Sequence, residues 1–176
     1  MATKIHSALF IFVLCCPLLG LAETQWRSEA LGLQCLFPAY WEVESLPSQG
    51  DLAKGGTLVR AERTPGLPAG VRFELELEPL AIALSPHEKA LTELLDSLRG
   101  TPKLQVLKSE LRQVSDQVSE LKVRWKIAQS RHTLESLYRL YDVGNRRYVA
   151  SVSGRLELVE GIRDELSLLW DSIRAE

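Results

Sequence analysis

The chain contains little cysteine and little histidine, and this scarcity excludes several classes of protein. Its 176 residues include three cysteines and three histidines. Cys15 and Cys16 lie in an N-terminal hydrophobic segment. Cys35 alone would remain if that segment were removed, and no intramolecular disulfide could then form. The hydrophobic alternation around Cys35 predicts an inert, buried thiol, so packing must stabilise the fold.

Recognisable catalytic and cofactor motifs are also lacking. His87 and His132 have no organised set of thiol or carboxylate partners, so we expect surface imidazoles and no metal site. No serine lies in a glycine-flanked nucleophile elbow, and no glycine-rich loop ends in the Lys-Ser/Thr of a phosphate-binding loop. We therefore expect no cofactor. An enzyme or small-ligand carrier with an unrecognised site is the alternative.

Positive charge is not concentrated in any part of the sequence. The chain has 21 lysines and arginines against 23 acidic residues, and its formal net charge is −2. A protein that binds a phosphate backbone presents a strongly basic face. We therefore expect no nucleic-acid partner.

The one long hydrophobic run lies at the N-terminus, over about residues 8–21. Lys4 precedes the run and small residues follow it, an order typical of a secretory signal peptide. The run contains Pro17 and falls short of the roughly 20 apolar residues that span a bilayer. The sequence predicts a signal peptide over residues 1–22. Residues 23–176 are predicted to form one soluble periplasmic or extracellular domain without a membrane span.

Two helices are predicted. Ser85 supplies an N-cap hydroxyl, Pro86 suits the first helical position, and Glu88 completes a capping box. A leucine stripe follows, and Gly100 with Pro102 ends this helix. The C-terminal helix is predicted from an apolar stripe that consists of Val159, Ile162, Leu166, Leu169 and Ile173.

Strict alternation of apolar and polar residues predicts most of the strands. We expect Trp41, which follows a turn at Pro38, to anchor the core beside the first of them. Gly144 and Asn145 predict a hairpin between the last two. The predicted strands cover residues 31–37, 57–63, 71–79, 133–142 and 146–154.

Residues 104–125 permit two interpretations. Their apolar residues recur at alternating steps of three and four, as in a coiled-coil helix. From position 121 onward, however, apolar and basic residues alternate strictly, which is typical of a strand. We favour two strands, over about 104–114 and 118–130, with a single helix as the alternative.

The basic residues of the second of these strands are Lys122, Arg124 and Lys126. A period of two places all three on one face of the strand. We predict that this face points outward and binds a partner, and that the strand shares a sheet with residues 71–79. If the two strands are neighbours, the basic residues pair across the ladder with the acidic face formed by Glu74, Glu76 and Glu78. If they are not, the two sets form separate acidic and basic stripes for partner contact.

The opening of the predicted domain resembles the PsbP-like superfamily. The resemblance rests on a strand that ends in an apolar-aromatic-Pro-x-x-Trp pattern, here Leu36-Phe37-Pro38-Ala39-Tyr40-Trp41. A capped helix, a series of strands with a glycine-containing hairpin before Tyr148, and a closing helix around Trp170 follow in that family's order. The resemblance implies an α+β fold, with helices packed against an antiparallel sheet in an α/β/α sandwich. It also implies a non-enzymatic role.

Taken together, these features predict an exported, non-enzymatic binding or assembly module of the cell envelope. The predicted partner is another protein. The candidate partner-binding residues are the three basic residues of the strand at 118–130.

Signal-peptide removal is predicted between Ala22 and Glu23, because Gly20 and Ala22 supply the small residues that precede a cleavage site. The intact mass of the secreted protein tests this, and we expect the mass of a chain that begins at Glu23. A product that retains Met1, or one that begins at a lipidated cysteine, would contradict the prediction.

Overall fold

The computed structural model describes residues 23–29, 31–46, 55–63, 70–79 and 85–175. The predicted signal peptide, including Ala22 on one side of the predicted cleavage site, lies outside the described residues. Within the described ranges, no helix is long and apolar enough to cross a membrane.

Ten strands and three helices occur in the described part of the chain. The helices are α1 (His87–Gly100), α2 (Leu156–Gly161) and α3 (Arg163–Ser172). The strands are β1 (Thr24–Ser28), β2 (Leu33–Phe37), β3 (Glu42–Ser45), β4 (Gly56–Glu62), β5 (Arg72–Leu77), β6 (Leu104–Ser115), β7 (Val118–Ile127), β8 (Leu134–Val143), β9 (Arg146–Arg155) and β10 (Arg174–Ala175).

The strands form two antiparallel sheets. The large sheet has seven strands in the order β3-β4-β5-β9-β8-β7-β6, and the small sheet has the order β1-β2-β10. The predicted hairpin joins β8 to β9, and Gly144 there has a φ of 62°, a conformation that glycine adopts without strain.

Each face of the large sheet carries its own hydrophobic core. On one face, α2, α3 and the small sheet pack against β4, β5 and β9 around Phe37, Phe73, Tyr148 and Trp170. On the other face, α1 packs through Leu91 against β7 and β8. We call these the α2/α3 face and the α1 face. The predicted α+β class with helices on both sides of an antiparallel sheet is confirmed.

The ambiguity over residues 104–125 is decided in favour of strands. β6 and β7 form a long antiparallel pair, so the coiled-coil alternative is wrong. β5 and β7 belong to one sheet, as predicted, but β9 and β8 lie between them. The acidic residues of β5 therefore do not pair with the basic residues of β7.

Three details differ from the sequence predictions. α1 begins at His87, one residue after the predicted start at Pro86. The C-terminal helix is divided at Ile162, whose φ of −115° lies outside the helical region. β1 and β10 were not predicted, because β1 is mostly polar and β10 has only two residues.

Trp41 lies in the core, as predicted. Its ring is buried, with its centroid 6.3 Å from that of Phe37. Its indole Nε1 lies 3.4 Å from Oε2 of Glu165 on α3, to which it donates a hydrogen bond. Trp41 therefore links the turn after β2 to the helix layer.

We expect Trp41→Ala to lower the free energy of unfolding by about 3–5 kcal/mol, the usual cost of removing a large buried aromatic side chain. Leu168→Ala on α3 is the matched control, since Leu168 is 65% exposed and should cost much less. Urea denaturation measures both. Equal midpoints for the two variants would show that Trp41 is not a core residue.

Candidate partner-binding surface

The α2/α3 face becomes charged where it passes from β9 to β8, β7 and β6. On β7, apolar Leu121 and Val123 point to the α1 face, so the alternating positions point to the opposite face. The registers of β6 with β7 and of β7 with β8 place charged residues of the three strands side by side. We call this surface the charged face, defined by Lys108, Glu110, Arg112, Glu120, Lys122, Arg124, Lys126, Glu135 and Arg139.

Glu120 is held between two guanidinium groups. Nε of Arg112 donates to its Oε1 at 2.8 Å, and Nε of Arg139 donates to its Oε2 at 2.6 Å. The Glu120 side chain is only 7% exposed. The Arg139 guanidinium also lies 5.0 Å from the ring centroid of Trp170 on α3, an attractive cation–π geometry. This group therefore connects the charged face to the hydrophobic core.

Glu135 forms a second and deeper centre, since its side chain is 1% exposed. Nε of Arg124 donates to Oε2 of Glu135 at 2.8 Å, and Nζ of Lys122 lies 3.4 Å from the same oxygen. Nη2 of Arg124 reaches Oε1 of Glu160 on α2 at 2.8 Å. Two of the three predicted partner-binding residues therefore also hold a buried carboxylate in place.

Lys126 differs from the other two predicted residues. It lies on the same face of β7 and is half-buried, but it forms no ion pair within the described ranges. The structure thus places the three predicted residues together on one face, as the alternation requires, and gives them unequal surroundings.

The acids and bases of the charged face lie at different depths. The carboxylates of Glu120 and Glu135 are almost fully buried, whereas Arg112 is 56% exposed. Lys122 and Arg124 are partly exposed above Glu135. The face has six basic and three acidic residues, although the whole chain has a net charge of −2. Solvent therefore meets a predominantly positive surface, which suits an acidic binding partner.

A second polar feature is an open cleft of about 720 Å³ at the start of α1. Nδ1 of His87 lies 3.0 Å from Oγ of Ser119, and its Nε2 lies 2.8 Å from Oδ2 of Asp142. Nε and Nη2 of Arg147 donate to the two oxygens of Asp142 at 2.8 and 3.3 Å. The prediction of a surface imidazole at His87 is wrong, because β7 and β8 partly bury it, whereas His132 is exposed.

The series Ser119, His87 and Asp142 has the residue types of a hydrolytic triad but not its geometry. In such a triad the aspartate binds Nδ1 and the serine binds Nε2, whereas here the two nitrogens are exchanged. Ser119 is also 8% exposed and lies within a strand, not on the strained turn that presents a nucleophile. The arrangement anchors the first residue of α1 to the sheet.

Asp142 is the carboxylate that pairs with both Arg147 and His87 in this cleft. Partial burial would raise the pKa of Asp142, but the hydrogen bonds and charges of Arg147 and His87 outweigh that effect, and the pKa is lowered from its ordinary value. The carboxylate therefore stays ionised beside the buried guanidinium of Arg147.

A cavity of about 480 Å³ lies between α1 and the α1 face of the sheet. Leu94 and Tyr138 line it together with Glu74, Glu76 and the serines of β9. Within the described ranges, no group of three potential metal ligands is found. The charged face carries the three residues that the sequence predicts to bind a partner, and it is the candidate site.

Comparison with known proteins identifies the fold. No family model and no curated protein matches the chain. The solution structure of cyanobacterial PsbP (CyanoP) from Synechocystis sp. PCC 6803 matches with a TM-score of 0.54 at 9% identity, and the match covers 92% of this chain and 97% of that one. The chain has a PsbP-like fold. The resemblance first noticed around Trp41 is thereby confirmed for the fold.

A second solved structure agrees with this assignment. The Ran-binding protein Mog1p from Saccharomyces cerevisiae matches with a TM-score of 0.57 at 12% identity. That match covers 88% of this chain and 96% of Mog1p. At such identities the two comparisons establish the PsbP-like fold alone, and the function must be inferred from the residues of the site.

We expect Asp142→Asn to lower the free energy of unfolding near neutral pH by roughly 1–3 kcal/mol, because it leaves a buried Arg147 guanidinium without its charged acceptor. The pKa of Asp142 is lowered in the folded state, so its stabilisation is present above about pH 4 and is lost as pH falls through the folded-state pKa. The difference between variant and native protein should therefore shrink in acid.

The control is Asp96→Asn on α1, where the carboxylate is well exposed beside Arg99. Urea midpoints measured from pH 3 to pH 7 should show almost no effect of this change. A constant difference between Asp142→Asn and native protein over that range would rule out the ion pair as the cause.

Proposed function

We propose that the chain is a non-enzymatic protein-binding module and that the charged face holds an acidic segment of its partner. The observation that carries this proposal is the burial of Glu120 and Glu135 beneath a layer of lysine and arginine side chains. The layer presents positive charge on a chain that is negative overall, and complementary charge of this kind steers a partner and fixes its orientation.

The PsbP-like fold supports a protein partner. Mog1p is described as a Ran-binding protein, so one structure of similar fold serves protein binding. The residue types of the charged face are consistent with such a role, because arginine forms bidentate hydrogen bonds with carboxylates. Arg112 is the most exposed of these arginines, and we place it at the centre of the binding surface.

We further propose that the module works outside the cytoplasm, in the periplasm, the cell envelope or the extracellular space. The N-terminal pattern of a positive charge, a hydrophobic run and small residues supports export. Cys35 is compatible with an oxidising compartment, because burial raises the pKa of its thiol to about 12, with a hydrogen bond from Ser172 acting in the opposite direction. The thiol therefore stays protonated and inert.

The surroundings of Glu135 determine which substitutions can test the binding surface. Reversing the charge of Arg124 would leave a carboxylate that is 1% exposed without its closest cation, and breaking a buried pair costs about 3–5 kcal/mol. A loss of binding would then be confused with a loss of fold. Lys122→Gln combined with Lys126→Glu avoids this problem, because Arg124 still neutralises Glu135.

We expect Lys122→Gln/Lys126→Glu to weaken binding of a short poly-glutamate peptide by about tenfold, or roughly 1.4 kcal/mol. Fluorescence anisotropy at low salt measures the affinity, and the difference should narrow as salt screens the charges. The matched control, Arg99→Gln/Lys89→Glu on the exposed surface of α1, changes the net charge by the same amount.

The control should retain nearly native affinity. An equal loss in both variants would show that net charge, and not the charged face, determines binding. A native protein that does not bind the peptide at low salt would contradict the proposal.

A further inference from the structure

Among the described residues, β3 and β6 are the two edge strands of the large sheet, and β6 is the longer. β6 contains twelve residues, and within the described ranges no strand pairs with its outer edge. Leu107, Leu111 and Val114 are exposed hydrophobic residues on this strand. Proteins usually protect such edges with short strands, prolines, charged side chains, bulges or covering segments, because unpaired backbone groups recruit another strand. β6 is long and contains no proline, but it carries charged residues and two ladder irregularities, so its charges select which strand can pair with it.

The sequence of β6 is largely symmetric in chemical type about Ser109. Of the five pairs of positions at equal distances on either side of Ser109, four carry residues of matching or complementary type, and Val106 with Arg112 is the exception. Lys108 matches Glu110 by opposite charge, Leu107 matches Leu111, Gln105 matches Gln113, and Leu104 matches Val114. An antiparallel strand that is a copy of β6 would therefore be complementary to it, which is the requirement for an interface with two-fold symmetry.

The geometry of the strand is compatible with this pairing at its centre. Irregularities in the β6–β7 ladder occur between Val106 and Lys108 and between Gln113 and Ser115, so the stretch between them is regular. Lys108 and Glu110 lie opposite Arg124 and Lys122 of β7, respectively. Both therefore belong to the charged face and would meet their counterparts on the same side of a joined sheet.

We propose that the outer edge of β6 is a docking surface for a second copy of this chain, paired antiparallel in the register that places Ser109 opposite Ser109. The two-fold axis stands perpendicular to the sheet. This pairing joins the two large sheets into one and places two Lys108–Glu110 pairs beside the axis. Opposite charges directly across a ladder stabilise a register, and like charges destabilise it.

The choice of a second copy follows from this charge pattern. A strand of another protein would need a basic and an acidic residue at the matching positions, whereas β6 itself carries both. Because the axis is perpendicular to the sheet, the two charged faces lie on the same side of the dimer. The proposal thus goes beyond the proposed function by predicting a partner-binding surface that is continuous over two copies.

Sedimentation velocity of the purified protein over a range of concentrations tests the dimer. We expect Lys108→Glu to place four carboxylates near the axis and Glu110→Lys to place four ammonium groups there, and each change should weaken dimerisation at least about tenfold. The double variant Lys108→Glu/Glu110→Lys exchanges the charges and restores both pairs, so we expect dimerisation within about threefold of native.

The register is tested separately by oxidative cross-linking. Residues directly opposite each other in a ladder come close enough for a disulfide, so Ser109→Cys should yield a covalent dimer on a non-reducing gel. Ser115→Cys at the end of β6 should not. A native protein that is monomeric at all concentrations, an unrescued double variant, or equal cross-linking at both positions would overturn the proposal.

A failure of this proposal would be distinguishable from a failure of the proposed function. Lys122 and Lys126, which carry the peptide-binding test, lie on β7 and not on the outer edge. A monomer that binds the poly-glutamate peptide would contradict the dimer alone.

Discussion

The structure depends on a seven-stranded sheet whose two faces are covered by helices over different strands. A strand places alternate residues on opposite faces, so the polarity of each residue must match the helix, sheet or solvent that covers its face. On the α2/α3 face, the helices and the small sheet cover β4, β5 and β9, where phenylalanine, leucine and valine are buried. Beyond β9, the same face of β8, β7 and β6 is mostly charged, and Val118, Leu137 and Tyr141 on it still pack against the core.

Two buried carboxylates lie where the hydrophobic part of this face meets the charged part. Glu120 and Glu135 are nearly inaccessible, and each is neutralised by two basic side chains from neighbouring strands. The desolvation cost of such groups can exceed their mutual attraction. They are therefore better explained as fixing the positions of Arg112 and Arg124 than as a source of net stability. A surface of pre-positioned cations loses less side-chain entropy when a partner binds.

The α1 face is hydrophobic on β7 and β8 and polar on β4 and β5, and the same alternation explains this difference. α1 covers Leu121, Val123 and Leu140, and its first residue is fixed by the interactions of His87 with Ser119 and Asp142. The strands β4 and β5 carry polar residues on this face, and Glu74 there pairs with Arg60 at 2.7 Å. The acidic residues of β5 and the basic residues of β7 thus lie on opposite faces of one sheet. The sheet itself therefore separates the two sets of charges.

The sequence by itself determined the features that depend on neighbouring residues. The alternation from position 121 to position 127 identified β7 and the shared face of its three basic residues, and the leucine stripe identified α1. The position of Trp41 beside a turn identified a core residue. Each of these signals is local, because strand and helix periods need only the adjacent residues.

Apart from the β8–β9 hairpin, which Gly144 and Asn145 indicated, only the tertiary structure decided which strands are neighbours, and the candidate site depends on that order. Glu135 gave no signal in the sequence, yet it lies opposite Arg124 and holds that guanidinium on the charged face. The His87–Asp142 contact joins residues of α1 and β8 that are far apart in the chain. β10 exists because two residues meet β2. Such pairings arise from the register of distant segments, and a period of two specifies the face of a residue but not its cross-strand neighbour.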